Sequence, residues 1–212
     1  MKEKEEERLT NLKKYEENLY NEGLKYICGI DEAGRGPLAG PVVVGAVVMP
    51  RDSKLEFMND SKKVTAKRRD ILYDEIKDTA LAYGIGIVPQ DVIDEINILN
   101  ATKKGLHDAL GQVIEMLKTK PDIVIVDALI EIDTFGITYE SIIKGDATCY
   151  SISAASILAK VTRDRIMEEW DKIYPEYGFA AHKGYGTAKH IAAIKQYGPC
   201  PLHRKSFITH FV

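Results

Sequence analysis

The sequence predicts an α/β fold in which one mixed, five-stranded sheet is flanked by helices. Three apolar runs in the first half of the chain have the β-branched composition of strands and can pair in an antiparallel manner. Further along, strand-like runs alternate with segments of helical periodicity, a pattern typical of helices packed on a sheet. The chain has 212 residues, of which 45% are hydrophobic, so it can bury one sizeable core.

The chain opens with a charged segment, Glu3 to Glu22, that carries three leucines on one side and ends near Gly23. We therefore expect residues 1–24 to form a helical extension appended to the core. Two strands are predicted next, at Tyr26 to Asp31 and at Pro41 to Met49. The Gly/Pro-rich turn between these strands indicates a hairpin.

The middle of the chain alternates between helix and strand. Thr65 to Lys77 is predicted to be helical, Ala80 to Val88 to be a strand, and Val92 to Leu117 to be a long helix with apolar residues at helical spacing. The short run Ile123 to Val126 is apolar throughout, which indicates a strand buried on both faces. It stops at Asp127, so this carboxylate is expected at the C-terminal end of the strand.

The remainder combines a strand, two helices and loops. A fifth strand is predicted at Tyr139 to Ile143, followed by a turn over Lys144 to Thr148. A long helix from Ser151 to Tyr174 begins with small residues, which favour close packing of helix on sheet. Glycines and prolines then predict a loop-rich C-terminal region with a short helix at Ala188 to Gln196.

Composition argues against several classes of protein. No apolar stretch reaches the roughly 20 residues of a membrane span, and the start has no signal-peptide core, so we expect a cytoplasmic location. The three cysteines and five histidines lack the spacings of a disulfide framework or a zinc site. The net charge of −3 does not by itself indicate a nucleic-acid-binding protein, although basic residues cluster at 62–69 and 183–205.

Four acidic residues lie at or just after predicted strand ends: Asp31, Glu32, Asp127 and Asp146. If these strands are neighbours, the carboxylates meet at one edge of the sheet and would hold Mg²⁺ or Mn²⁺. Adjacent residues of a strand point to opposite faces, so Asp31 and Glu32 share a metal site only if the strand bends or one contributes its backbone carbonyl. Asp146 has the weakest case, because Lys144 can simply pair with it.

The segment Gly34 to Ala39 follows the first strand and matches the loose dinucleotide pattern G-x-G-x-x-A. That pattern requires a helix directly after the glycines, whereas a β-branched run follows here. A dinucleotide cofactor is therefore disfavoured. An arginine between two glycines, where the backbone can approach a ligand closely, suits a phosphate or a sugar instead.

At several points the chain resembles the type 2 ribonucleases H, and among them the bacterial ribonuclease HII family. The resemblance extends in order from about Tyr26 to Phe207. It is carried by six motifs, Gly29 to Pro37, Asp60 to Lys63, Val126-Asp127, Lys144 to Asp146, Ala154 to Arg165, and His182 to Thr187.

The resemblance implies an RNase H-like catalytic domain over residues 25–212, with a C-terminal substrate-binding segment. It also implies a two-metal endonuclease that cuts the RNA strand of RNA/DNA hybrids and nicks 5′ of single ribonucleotides in duplex DNA. The ends left are 5′-phosphate and 3′-hydroxyl. The metal ligands and catalytic residues would be four carboxylates, with Asp146 preferred over Asp164 because it follows Lys-Gly: Asp31, Glu32, Asp127 and Asp146.

The same resemblance implies how substrate is held. Backbone groups of Gly34, Arg35 and Gly36 would read the ribose 2′-hydroxyl, and Tyr185 would bond the same hydroxyl and stack on the next sugar. Lys62 and Lys63 would face backbone phosphates. Two weaker candidates for that contact are Lys183 and Arg204.

Three alternatives are weaker. Ribonuclease HIII normally carries a substantial additional N-terminal domain, whereas only about two dozen residues precede the first strand here. A non-catalytic binding module would have lost a carboxylate, and a dinucleotide-dependent oxidoreductase would need a helix after the glycines. We expect a monomer, and a sliding-clamp partner stays open.

Overall fold

The computed structural model describes residues 2–59, 61 and 64–211, and contains the predicted α/β sheet. Its strands are β1 (Ile27–Ala33), β2 (Val42–Val48), β3 (Ala82–Val88), β4 (Ile123–Asp127) and β5 (Tyr139–Ile142). Its helices are α1 (Lys2–Asn21), α2 (Ala66–Thr79), α3 (Gln90–Leu117), α4 (Gly145–Thr148), α5 (Tyr150–Ile173), α6 (Phe179–His182), α7 (Ala188–Tyr197) and α8 (Lys205–Ile208).

The strand order is β3-β2-β1-β4-β5, with β1 at the centre. The pairs β1–β2 and β2–β3 are antiparallel, whereas β1–β4 and β4–β5 are parallel. The predicted mixed sheet and hairpin are thereby confirmed. Because β1 and β4 run in the same direction, with Ile30 opposite Val126, their C-terminal ends lie side by side at one edge.

Helices cover both faces of the sheet, and glycines in the strands let two of them approach closely. A methyl group at Gly29 or Gly45 would overlap the backbone of α5, at Ser151 and Ala155 respectively. On the other face, a methyl group at Gly84 would overlap Ala109 of α3. The small residues near the start of α5 therefore serve packing, as the sequence indicates.

Helix α1 lies against this core as the predicted appendage. Leu9 and Leu12 join the apolar cluster beneath α5, and Leu19 packs with Ile27 of β1. Its buried Glu16 carboxylate accepts hydrogen bonds from the N–H groups that begin α5, at 2.8 Å from Tyr150 and 2.7 Å from Ser151. The first helix thus caps the helix that covers the sheet. The division of the chain into two units at residue 24 stays a prediction.

Two details differ from the prediction. Lys144 to Thr148 is not a plain turn, because Cys149 N–H bonds the Gly145 carbonyl at 2.8 Å and closes the single helical turn α4. Helix α3 is interrupted at Asn97, whose φ is 66°. Among the described residues, no helix is long and apolar enough to cross a bilayer.

Candidate active site

Three carboxylates converge at the sheet edge where β1 and β4 end. Asp31 lies two residues before the end of β1, Asp127 is the final residue of β4, and Asp146 lies on α4. One oxygen from each lies within 4.8 Å of the others, a grouping that can hold a metal ion. Carboxylate oxygens are hard ligands, so this donor set fits Mg²⁺ or Mn²⁺.

The Asp31 carboxyl is buried, with 7% of the residue exposed. Burial raises the pKa of Asp31 well above its usual range, and the neighbouring carboxylates Glu32 and Asp127 raise it further. Its Oδ1 accepts the Glu32 N–H at 2.8 Å, which fixes its orientation. A cation bound beside Asp31 would offset the repulsion between its carboxylate and those of Glu32 and Asp127.

Asp127 links the end of β4 to α4. Its Oδ1 accepts the backbone N–H of Gly145 at 2.9 Å, directly before Asp146. Ser153 of α5 donates its hydroxyl to the Asp146 carbonyl at 2.6 Å. The short helix that carries Asp146 is therefore held from both sides, which explains why its carboxylate faces the other two.

Glu32 stands outside the group of three but lines the same cleft. Its Oε1 lies 3.4 Å from Nη1 of Arg35. The strand ends one residue later at Ala33, and Gly34 turns the chain with φ of 101°. This turn lets both acidic residues border one cleft despite the alternation of side chains along a strand.

The cleft encloses about 420 Å³ and is lined by four of the six predicted substrate-binding residues. Gly34, Arg35 and Gly36 form one wall, and Tyr185 borders it from the C-terminal region. A β-carbon at Gly36 would lie 3.9 Å from Tyr185 Cε1, so the two walls nearly touch. Tyr185 is 46% exposed and is available to a ligand.

The basic residues predicted to contact phosphates lie in different surroundings. Lys62 and Lys63 lie outside the described residues. Lys183 Nζ bonds Glu168 Oε1 at 2.7 Å and the Ala180 carbonyl at 2.6 Å. Arg204 is 0% exposed, with its guanidinium bonded to backbone carbonyls, so the interpretation of Arg204 as a phosphate contact is wrong.

Five further residues line the cleft without having been singled out as binding residues: Ala33, Ser61, Ser156, Lys160 and Arg163. The last three are spaced by four and three on α5, so the predicted helix would have placed them on one face. Lys160 Nζ bonds Asp164 Oδ1 at 2.8 Å. Arg163 donates to the carbonyls of Pro41 and Lys183 at 3.0 and 2.9 Å, which joins the two walls. Burial lowers the pKa of Arg163 to about 10, so it stays cationic at neutral pH.

Comparisons with known proteins agree with this architecture. The family model described as ribonuclease HII matches residues 28–210. A ribonuclease HII from Acetivibrio thermocellus is 57% identical over 210 residues, which cover 99% of this chain and 80% of the relative.

Solved structures show the same fold. The ribonuclease H2 of Pyrococcus horikoshii OT3 has a TM-score of 0.66 at 29% identity, over 85% of this chain and 93% of that one. The RNase HII of Archaeoglobus fulgidus, solved in a complex with PCNA, has a TM-score of 0.71 at 26% identity, over 87% of this chain and 96% of that one. The chain belongs to the ribonuclease HII family and is a ribonuclease H, an endonuclease of RNA strands.

Proposed function

We propose that this ribonuclease H cuts RNA/DNA hybrids and also nicks duplex DNA on the 5′ side of single embedded ribonucleotides, leaving 5′-phosphate and 3′-hydroxyl ends. The observation that carries this proposal is the single cleft that holds both the carboxylates and the Gly34–Gly36 wall facing Tyr185. A site that reads one ribose must stand beside the site that cuts its phosphodiester.

We propose that Asp31, Glu32, Asp127 and Asp146 hold two divalent ions, Mg²⁺ or Mn²⁺. When bound, such ions would supply activation of an attacking water and stabilisation of the leaving 3′-oxygen. The convergence of three carboxylates supports this assignment, as does the divalent-metal dependence typical of the family. Glu32 borders the cleft next to Asp31, where it would complete the ligand set.

On the substrate side, the backbone of Gly34, Arg35 and Gly36 is proposed to contact the ribose 2′-hydroxyl together with the Tyr185 hydroxyl. Gly34 and Gly36 have no β-carbon, so less of the backbone of this wall is shielded from a ligand. Lys62 and Lys63 are proposed to contact phosphates. The basic side chains would offset the repulsion expected between a chain of net charge −3 and a polyanion.

A sliding clamp is a candidate partner, because the Archaeoglobus fulgidus relative forms a complex with PCNA. We otherwise propose that the enzyme acts as a monomer in the cytoplasm, where its nucleic-acid substrates would be found. Size-exclusion chromatography with light scattering, with and without a clamp protein, tests both statements about assembly.

The decisive experiment uses duplex DNA with one ribonucleotide, an all-deoxy duplex and an RNA/DNA hybrid, each with Mg²⁺, Mn²⁺ or chelator. We expect metal-dependent nicking 5′ of the ribonucleotide and no cutting of the all-deoxy duplex. Asp146→Asn should abolish cleavage. Asp108→Asn is a matched control, because Asp108 pairs with Lys104 on the surface of α3. Cutting in chelator, or equal cutting of the all-deoxy duplex, would refute the proposal.

A further inference from the structure

Two adjacent residues of the C-terminal region, His203 and Arg204, are almost completely buried, with exposures of 2% and 0%. Burial of a guanidinium is costly unless its hydrogen bonds are satisfied. The Arg204 side chain is bonded to the Gly34–Gly36 wall, and the His203 side chain is connected to the Tyr185 wall through His190. The side chains of His203 and Arg204 therefore have a structural role that the proposed cleavage mechanism does not include.

Arg204 holds the glycine-rich wall. Its Nη2 donates to the Gly34 carbonyl at 2.6 Å and its Nη1 to the Arg35 carbonyl at 2.9 Å. Its Nε donates to the Gly40 carbonyl at 2.9 Å, and its backbone N–H to the Leu38 carbonyl at 2.8 Å. In the part of the chain that the structure describes, every hydrogen bond of this guanidinium goes to a backbone carbonyl. The planar donor set therefore fixes the path of the loop.

His203 holds the opposite wall through His190. The His190 Nδ1 lies 2.9 Å from the Tyr185 carbonyl, which can only accept, so this nitrogen carries the proton. In the neutral ring the other nitrogen of His190 is then an acceptor, and His203 Nε2 donates to it at 3.0 Å. On the other side of the ring, His203 Nδ1 accepts the Cys200 backbone N–H at 3.0 Å, and the Cys200 carbonyl lies 3.2 Å from the same nitrogen. His203 is therefore held at both of its ring nitrogens.

We propose that His203 and Arg204 are positioning residues that set the separation between the Gly34–Gly36 wall and Tyr185, and thereby the selectivity for a ribose over a deoxyribose. This inference rests on the proposed function, because those walls are the ones assigned to the 2′-hydroxyl. Neither side chain needs to touch the substrate. A shift of either wall by a few tenths of an ångström weakens a hydrogen bond to the hydroxyl.

The test measures selectivity rather than activity alone. For each variant, KM and kcat are determined on duplex DNA with one ribonucleotide, and the all-deoxy duplex is used as a competitive inhibitor. The ratio of that inhibition constant to KM reports selectivity for the ribose. The affinity for Mn²⁺ is measured in parallel by calorimetry, and folding by circular dichroism.

Two substitutions form matched pairs with conservative partners. His203→Phe keeps an aromatic ring beside Tyr177 and Phe179 but removes the donor, whereas His203→Gln retains a donor near the Nε2 position. Arg204→Gln removes most of the carbonyl contacts, whereas Arg204→Lys keeps a cation. Loss of about 1 kcal/mol of hydrogen bonding predicts a fall of about fivefold in the selectivity ratio for His203→Phe and Arg204→Gln. The ratio for His203→Gln should stay within about twofold of the parent, with Mn²⁺ affinity unchanged in all variants.

Glu16→Gln is the control for stability, because it weakens a buried contact with the start of α5 that involves no residue of either wall. Its selectivity ratio should equal that of the parent even though its unfolding midpoint falls. The inference is overturned for His203 if folded His203→Phe keeps the parental ratio, and for Arg204 if folded Arg204→Gln keeps it. If the unsubstituted protein showed no selectivity for the ribonucleotide-containing duplex over the all-deoxy duplex, the proposed function itself would be refuted.

Discussion

The Asp127 carboxylate accepts the backbone N–H of Gly145 at 2.9 Å, and together with the Ser153 hydroxyl bond to the Asp146 carbonyl it holds Asp146 within reach of Asp31. Asp127 therefore has two tasks, one as a hydrogen-bond acceptor and one as a proposed metal ligand. The two tasks can be separated by substitution, because an amide oxygen still accepts an N–H but is a weaker ligand for a hard cation.

We predict that Asp127→Asn changes the free energy of unfolding by less than about 1 kcal/mol, since the acceptor is retained. Cleavage should fall by at least about a hundredfold, and Mn²⁺ binding should weaken in calorimetry. Asp127→Ala should lose both functions, with an additional loss of stability of about 1–3 kcal/mol from the unpaired Gly145 N–H. Parental cleavage rates in Asp127→Asn would remove Asp127 from the ligand set.

Tyr185 should matter for cleavage and little for folding. Its side chain is 46% exposed, so Tyr185→Ala should alter stability by no more than about 1 kcal/mol. Loss of stacking and of the hydroxyl should lower kcat/KM on single-ribonucleotide DNA by about 100-fold, and Tyr185→Phe, which keeps the ring, should lose less. Steady-state nicking assays with the parent, Tyr185→Ala and Tyr185→Phe distinguish the contribution of stacking from that of the hydroxyl. If Tyr185→Ala cut at the parental rate, its proposed role would be wrong.

The contact between α1 and α5 should contribute measurably to stability. Glu16→Ala leaves the N–H groups of Tyr150 and Ser151 without their acceptor in a buried position, which should cost about 2 kcal/mol. Urea unfolding followed by circular dichroism measures this loss. Glu17→Ala is the comparison, because Glu17 pairs with Arg51 in solvent and should change stability by less than about 1 kcal/mol. Equal effects would show that α1 does not act as a cap.

Stability should fall in mild acid because of the buried histidines. Burial lowers the pKa of His190 to about 4 and also lowers the pKa of His203. A histidine in the unfolded chain titrates near about 6.5, so the unfolded state binds more protons between the two values. The buried histidines therefore make their full contribution to the free energy of unfolding above about pH 6.5. This contribution is lost as the pH falls toward 4, and for His190 it amounts to about 3 kcal/mol.

Urea unfolding at several pH values across this range tests the prediction. His190→Asn, in which the amide can still donate toward the Tyr185 carbonyl, should flatten the pH dependence. His107→Gln is the control, because His107 is only half-buried and stacks on Phe135 at 4.1 Å. An unchanged slope in His190→Asn would assign the acid sensitivity to other groups.

Two glycine-to-alanine substitutions should have opposite effects. At Gly45 of β2, a methyl group would overlap the Ala155 carbonyl and approach Ala159 N at 3.2 Å, so α5 must move away from the sheet. We expect a loss of about 1–3 kcal/mol. At Gly111 of α3, the nearest atom is Phe135 Cζ at 3.6 Å, an ordinary contact, so the better helix former should add about 0.5–1 kcal/mol. Thermal unfolding of both variants checks the two signs.

The sheet and the position of its acidic residues could be predicted because both depend on local patterns. The apolar run Ile123 to Val126 ends at Asp127 in the sequence and in β4 alike. Parallel pairing with β1 then brings Asp127 beside Asp31, as expected of a ligand-binding edge. The helical turn α4 was harder to predict, because the contacts that orient it come from Asp127 and Ser153, which are distant in sequence.

The burial of Arg204 and the pairing of His190 with His203 could not be predicted from spacing. An arginine in a Gly/Pro-rich segment has the composition of an exposed loop, and only the fold shows that carbonyls of residues 34–41 surround it. Histidine spacing was a reasonable test for zinc ligands, but it does not reveal imidazoles that bond to each other across a loop. Such interactions depend on tertiary structure, which periodicity does not encode.

The bond between Arg204 and the Gly34 carbonyl joins residues 170 positions apart in sequence. The loop that forms one wall of the cleft, near the start of the chain, is therefore held by a donor close to its end. Removing the residues from 204 onward would leave the carbonyls of Gly34, Arg35 and Gly40 without the guanidinium from which they accept hydrogen bonds, so such a truncation should disturb the cleft wall as well as the segment it removes.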